Sequence, residues 1–377
     1  MRVGVYIHIP FCVARCSYCD FATTRYHREL VERYVRAVVR EIENFAAQDE
    51  RPECDSIYLG GGTPSTLAPS HVALLLEAVR ARFRVSNEAE VTMEVDPATA
   101  DRPSLDEFRQ LGVNRISVGA QSFDDEELRR LRRAHTAADT VRTIEQLRAA
   151  GFSNLNLDLI AGLPRQTLAG WRRNLELALS LRPEHMSLYL LEVHPGTPLA
   201  REIERGISPP PDEDLAARMY EAMIERLEEA GYEHYEISNF CLPGRVARHN
   251  MKYWTGAPVY GFGCSAHSFD GRRRRWANER STARYIRSIE ERGRAIVEEV
   301  ELDDDAARAE ALFLGLRLMR GIDLRAYAAR FGYDVRHERG NELARLNEAG
   351  LIEIRGDRLR LTNRGALLSN EVFVALI

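Results

Sequence analysis

Lysine is almost absent from this chain: Lys252 is the only one among 52 basic residues, and the rest of the positive charge is arginine. A Walker-type phosphate loop needs Gly-Lys-Ser/Thr, and no such triplet occurs. Schiff-base chemistry is left with one candidate nitrogen, that of Lys252. Long apolar runs are missing too. No stretch approaches the roughly 18 uninterrupted apolar residues of a membrane span. The N-terminus, MRVGVYIHIPF, alternates like a strand and lacks the apolar h-region of an export signal. The expected location is therefore cytoplasmic, with any membrane association peripheral and through partners. Net charge is −5 and the pI near 6.1, which argues against wholesale nucleic-acid binding. Six cysteines without an export signal do not form a disulfide framework. Cys54, Cys241 and Cys264 are scattered and read as buried free thiols.

What is present is a globular composition, 45% apolar and 29% charged, over 377 residues, a length that predicts two or three domains. Val3, Val5, Ile7 and Ile9 fall at period two and predict a first strand. Leu30, Tyr34, Val38 and Ile42 follow at helical spacing. Further strands are expected at 55–59, 90–95, 115–119, 155–160 and 186–191. They alternate with the helical stretches Val72–Phe83, Leu105–Leu111, Thr140–Ala150 and Trp171–Leu181. Such alternation predicts an α/β fold with a parallel sheet and right-handed crossovers. The units are too few for a closed eight-unit barrel, so a partial (β/α)6 barrel is expected, although periodicity alone also admits a doubly wound open sheet.

The breaker Arg205-Gly-Ile-Ser-Pro-Pro-Pro-Asp212 marks a boundary, giving a barrel over 1–206. Asp212 is the expected N-cap of a helix running to Gly231. Residues 234–300 read as irregular and aromatic-rich, within an extension spanning 207–300. The segment 301–377 changes to helices, one ending Glu348-Ala-Gly350, and then a hairpin turning at Gly356-Asp357, like a small winged-helix module. Residues 308–377 carry 12 Arg against 9 Asp plus Glu, only +3, which favours a structural or interaction role over DNA binding. The basic block Arg272–Arg275 is expected to be either a solvated loop or a contact for an acidic ligand or partner.

Directly after the first strand comes Cys12-Val-Ala-Arg-Cys16-Ser-Tyr-Cys19. Three thiolates in one short loop can bind three irons of a cubane [4Fe–4S] cluster, leaving the fourth iron open, because position 21 is Phe21. A zinc site wants four ligands, and His8, back in the strand beyond Pro10, is poorly placed to be the fourth. The other expected strand ends are polar. They carry Gly60-Gly-Gly-Thr-Pro64, Glu94-Val-Asp96, Gly119-Ala-Gln121 and Asp158, and parallel barrels place their chemistry at such ends. Adjacent glycines let a ligand approach the backbone closely, and Glu94, Gln121 and Asp158 can satisfy ammonium and hydroxyl groups.

The C-x3-C-x2-C spacing resembles that of the radical S-adenosylmethionine superfamily. With Tyr6-Ile-His-Ile-Pro-Phe-Cys12, Arg115-Ile-Ser-Val-Gly-Ala-Gln-Ser122 and Leu157-Asp-Leu-Ile-Ala-Gly-Leu-Pro164, the chain is similar to the oxygen-independent coproporphyrinogen III oxidase family. The resemblance implies that the open iron chelates S-adenosylmethionine, and that Tyr6, Gly61, Gly62, Thr63, Glu94, Gln121, Arg133 and Asp158 contact it. True oxidases carry a further cysteine where this chain has Phe21, and an N-terminal extension before the first strand. Both departures match the HemW-like branch of haem chaperones, as does His249-Asn-Met-Lys-Tyr-Trp254, similar to its HNxxYW haem-associated signature. Before Arg133 the chain departs from that branch, reading Leu131-Arg-Arg where glycine is common. The resemblance implies a protein that binds haem, through His249, Asn250, Tyr253 and Trp254, and delivers it to haem-requiring acceptors, membrane-bound respiratory proteins among them. On spacing alone His249 reads rather as a core histidine packed among aromatics, and the resemblance reverses that preference; direct iron ligation by it is a hypothesis. Oxidase turnover by radical decarboxylation of propionates is the alternative. The sequence leaves a homodimer open.

Overall fold

Val3–Ile9 (β1) is buried along almost its whole length, as a strand covered on both faces must be. It lies near the middle of the sheet in the computed structural model, which describes residues 2–46 and 51–377. Glu53–Gly61 (β2), Arg84–Val95 (β3), Arg115–Gln121 (β4), Leu155–Ala161 (β5) and His185–Leu190 (β6) follow, each pairing in parallel with its predecessor. Register sets polar residues side by side: His8 faces Gly60, Glu94 faces Ser117 and Asp158 faces Ser187. Helices connect the strands, among them Arg28–Asn44, Pro69–Arg82 and Leu168–Ser180. Trp171 is fully buried and donates its indole N–H to the Met219 carbonyl at 3.0 Å, fixing helix Leu168–Ser180 to helix Glu213–Glu229. Asp212 caps that second helix by accepting from Leu215 N at 2.9 Å.

The sheet stays open and is longer than expected. The segment read as irregular is ordered: Glu233–Glu236 (β7), Asn239–Cys241 (β8), Val259–Phe262 (β9), His267–Phe269 (β10), Arg274–Asn278 (β11) and Ile296–Glu301 (β12) all join it. The order is β12-β11-β10-β9-β1-β2-β3-β4-β5-β6-β8-β7, so both edges of the parallel core are extended by later chain. Only β9 among the additions runs parallel to its core neighbour, β1; the others are antiparallel. Strands this short have no long alternating run for a sequence pattern to display.

In the basic block Arg272, Arg273 and Arg274 are exposed, as the solvated reading expects, and three of the four arginines pair with acids of this chain. Arg273 pairs with Asp304, Arg274 with Glu299 at 2.7 Å, and Arg275 with Glu310 at 2.7 Å while lying 4.2 Å from the Phe269 ring centre. Asp304 and Glu310 belong to helix Asp304–Leu316, so the block ties the sheet edge to the C-terminal module. That module continues through helices Leu324–Phe331 and Gly340–Glu348 to the antiparallel strands Ile352–Arg355 and Arg358–Leu361, with Ile322–Asp323 beside them. Among the described residues no helix is long and apolar enough to cross a membrane.

One buried carboxylate joins the first helix to the added strands. Glu41 accepts from Gly263 N at 2.8 Å, Asn278 Nδ2 at 2.6 Å and Tyr285 OH at 2.7 Å. Burial pushes its pKa up from 4.5 to about 7, against the lowering effect of those hydrogen bonds. The folded protein therefore holds the protonated form better than the unfolded chain does. This stabilisation is full below the unfolded value of 4.5 and is lost as pH rises through about 7. Glu41→Gln cannot ionise, so between about pH 5 and 8 its stability should rise relative to the parent by roughly 2–3 kcal/mol. Urea midpoints at the two pH values measure this; a difference independent of pH would mean that Glu41 is not held protonated.

Candidate functional site

β1 ends at Ile9, and the cysteine loop starts within three residues of it. Two short parallel strands, Phe11–Cys12 and Thr24–Arg25, close the base of the loop, helped by Thr24 N to Pro10 O at 2.7 Å and Tyr26 N to Cys12 O at 3.0 Å. Its middle is tied by Ser17, whose N–H donates to Leu131 O at 3.0 Å and whose carbonyl accepts from Leu199 N at 2.8 Å. His8 anchors its end. Burial lowers this imidazole to about pKa 4, so it is neutral; Nε2 donates to the Ala22 carbonyl at 2.9 Å, leaving Nδ1 to accept from Tyr6 OH at 3.0 Å. His8 thus holds the loop against the strand.

The three cysteines are free and half-buried. Thr63 Oγ1 lies 3.7 Å from Cys12 Sγ, and Arg133 Nη1 lies 3.2 Å from Cys16 Sγ. The same guanidinium donates to Asp96 at 2.5 Å and to Gly119 O at 2.8 Å, so Arg133 bridges the cysteine loop to the ends of β3 and β4 despite its unusual preceding residues. Burial pushes the Cys12 thiol up to about 12, opposed by the Thr63 hydrogen bond, and raises Cys19 as well. Burial thus favours the neutral thiol at Cys12 and Cys19, and a bound cluster would supply the charge that makes them thiolates.

Around this loop stand the strand ends. Gly61, at φ +115°, leaves space where a Cβ would collide with the His8 ring, and a Cβ on Gly62 would lie 2.8 Å from the Pro10 carbonyl carbon. Glu94 accepts from Tyr58 OH at 2.8 Å and Gly61 N at 2.9 Å; burial pushes it up to about 7 against those two bonds. Asp158 is likewise raised by burial, while Asn156 Nδ2 at 2.7 Å and Ser117 Oγ at 3.0 Å donate to it. Gln121 sits at φ +64°, a left-handed conformation that a non-glycine residue rarely adopts and that is found at functional sites.

The other end of the site is helix Arg248–Thr255. Its N-cap Ala247 has no side-chain acceptor, and Glu90 of β3 substitutes, accepting from Arg248 N at 2.9 Å and His249 N at 3.0 Å. His249 is 1% exposed, with Nδ1 3.1 Å from Ser56 Oγ and Nε2 3.1 Å from Tyr253 OH. Burial first, and then the charges of Lys252 and Arg115, lower its pKa to about 3. Iron ligation by His249 would cost one of these two hydrogen bonds. Lys252 is buried against Asp55 at 2.6 Å and donates to Arg2 O at 3.1 Å, a structural ion pair rather than a Schiff-base nitrogen facing the cavity. Trp254 lies beneath Arg317, whose guanidinium carbon is 4.5 Å from the ring centre.

All these candidates meet. Tyr6, Cys12, Cys16, Cys19, Gly61, Gly62, Thr63, Glu94, Gln121, Arg133, Asp158, His249, Asn250, Tyr253 and Trp254 line one cavity of about 630 Å³. Arg115, Asn156, Tyr58 and Glu236 line it too, and the sequence reading missed them. Arg115 had a signal: a charge opening an apolar parallel strand, here 2% exposed. The donor set fits a cubane, three thiols with no fourth cysteine. Among the described residues no three His, Cys, Asp or Glu side chains converge as a single metal ion requires. One thiolate per iron of a cluster needs no such convergence.

Comparison with known proteins agrees with this geometry. Residues 6–178 match the Radical SAM superfamily and residues 302–368 the HemN C-terminal domain. The chain is 35% identical over 375 residues to the haem chaperone HemW of Bacillus subtilis (strain 168), covering 99% of each chain. It is 36% identical over 377 residues to the haem chaperone HemW of Mycobacterium tuberculosis (strain ATCC 25618 / H37Rv), covering 99% of this chain and 94% of that one. In structure it superposes on coproporphyrinogen III oxidase (HemN) of Escherichia coli, a radical SAM enzyme, with a TM-score of 0.86 at 24% identity, over 100% of this chain and 90% of that one. That last likeness speaks to fold. A radical SAM fold implies S-adenosylmethionine and a [4Fe–4S] cluster. After anaerobic reconstitution, Cys16→Ala protein should lose the brown cluster absorbance and most of its bound iron and sulfide; full retention of both would remove Cys16 from the ligand set.

Proposed function

The chain belongs to the HemW family, and on that premise we propose that it is a haem chaperone, taking up haem and delivering it to haem-requiring acceptor proteins. The observation that carries this reading is the continuity of one cavity from the cysteine loop to Asn250, Tyr253 and Trp254. Cys12, Cys16 and Cys19 would hold the [4Fe–4S] cluster, with one iron left for the amino and carboxylate groups of S-adenosylmethionine. Together, when bound, these groups supply one-electron cleavage of the sulfonium.

The protein's own residues bind and orient. Glu94 and Asp158 accept from ammonium or ribose hydroxyl groups, Gly61, Gly62 and Thr63 let the cofactor approach the backbone, and Tyr6, Gln121 and Arg133 complete the contacts. Tyr253 and Trp254 offer haem a flat apolar surface beside Asn250, while His249 holds the Tyr253 hydroxyl. In this reading the cluster and S-adenosylmethionine regulate haem loading or release and do not serve substrate turnover. Acceptors include membrane-bound respiratory haem proteins, met from the cytoplasmic side.

The oxidase alternative has the shared fold in its favour, and a 24% identity carries it no further. Phe21, 62% exposed, stands where the oxidases have their extra cysteine. Haemin titration of the full chain tests the proposal. It should give a saturable Soret change at an equimolar ratio, and the loaded protein should pass haem to an apo-haem protein. Trp254→Ala should weaken binding by roughly tenfold, about 1.4 kcal/mol of lost ring contact. Only non-saturating, non-specific spectral change in the parent would overturn the function.

A further inference from the structure

We propose that His194, at the mouth of the cavity, is the ligand that this chain offers to haem iron; the assignment rests on the haem-handling reading above. His194 lies in the loop after β6, and its side chain is 42% exposed. It lines the same cavity as the cysteines and the Tyr253-Trp254 pair. The imidazoles deeper in the site are already committed. His249 has both ring nitrogens hydrogen-bonded and 1% exposure, and His8 holds Tyr6 and Ala22 with its two nitrogens.

His194 is not bound in this way. Its Nδ1 is 3.8 Å from Asp20 Oδ2 and its Nε2 3.5 Å from Glu192 Oε2, both too long for good hydrogen bonds. Glu192 is itself 79% exposed and can turn into solvent. With Glu192 turned into solvent, Nε2 is left open while Nδ1 still faces Asp20, the pattern of a metal-ligating histidine whose other nitrogen is oriented by a carboxylate. Nδ1 stays on the Asp20 side, and the Nε2 lone pair forms the bond to iron as a water or weaker ligand leaves. No electron is transferred and no co-reactant is needed.

The surroundings suit the rest of an iron porphyrin. Phe21 is 62% exposed and lines the mouth together with Leu190 and Leu191, giving the macrocycle an apolar face. Arg15, on the same rim, donates to the Cys19 carbonyl at 3.3 Å and keeps a cationic fork for a propionate carboxylate. The loop itself is firm, since the His194 carbonyl accepts from Thr197 Oγ1 at 2.8 Å. A rim ligand also suits a chaperone, because the iron stays within reach of an acceptor's own ligand.

The test compares haemin complexes of the parent, His194→Ala and His337→Ala full-length proteins by absorption and electron paramagnetic resonance. The parent should show an imidazole-ligated ferric haem. His194→Ala should lose that signature and bind at least about tenfold more weakly, and free imidazole should restore the signature. His337→Ala, at an exposed histidine of the C-terminal module outside the cavity, should keep it. A His194→Ala complex with parental spectrum and affinity would overturn the ligand assignment and leave the haem-handling reading intact. Absence of saturable haemin binding in the parent would overturn both.

Discussion

Parallel strand pairing forces the carboxyl ends of β1 to β6 onto one edge of the sheet, and each end brings a polar group that must be satisfied away from water. Glu94 shows the consequence. It is raised to about 7 by burial and yet receives Tyr58 OH and Gly61 N–H, one from within β2 and one from its end. A carboxylate in that state accepts a cationic or hydroxylated ligand group more strongly than it would in water, because the cost of removing it from water is met when the protein folds. Asp158 repeats the arrangement two strands further on, with Ser117 and Asn156. The sheet therefore presents a preorganised rim, and the cysteine loop is pinned above it by His8, Ser17 and Arg133.

The later chain completes what the parallel core leaves open. β9 pairs with β1, and the helix just before it, Arg248–Thr255, starts on Glu90 of β3. His249 then reaches Ser56 of β2 on one side and Tyr253 on the other. The aromatic pair is fixed to the core strands at one end and covered by Arg317 from the C-terminal module at the other. Arg317 also approaches the buried Glu236 at 4.0 Å. Arg317 thus ties the C-terminal module to Trp254 at the cavity wall.

Much of this was readable in the residues. The expected strands at 115–119, 155–160 and 186–191 fall within a residue or two of β4, β5 and β6, because parallel strands buried on both faces are continuous apolar runs bounded by turns. β3 begins at Arg84 and not at 90, since Val85 is the only apolar residue among its first five and gives no alternating signal. The added strands were illegible for a related reason: β12, Ile-Val-Glu-Glu-Val-Glu, is exposed throughout and shows no face. At the site, the cysteines and the glycine run could be read because their chemistry is local. Tyr58 and Asn156 could not, because what makes them site residues is a neighbour brought in by sheet register. His249 is the instructive case. The motif pointed to haem, and the structure gives its ring two partners that no spacing rule contains.

The measurement that bears most directly on the central claim is an anaerobic assay with reconstituted cluster, reductant, S-adenosylmethionine and coproporphyrinogen III, with cleavage of S-adenosylmethionine followed in the same sample. The account predicts a cluster that responds to S-adenosylmethionine and no protoporphyrinogen. Formation of protoporphyrinogen at a catalytic rate would contradict it and make the cavity the active site of an oxidase.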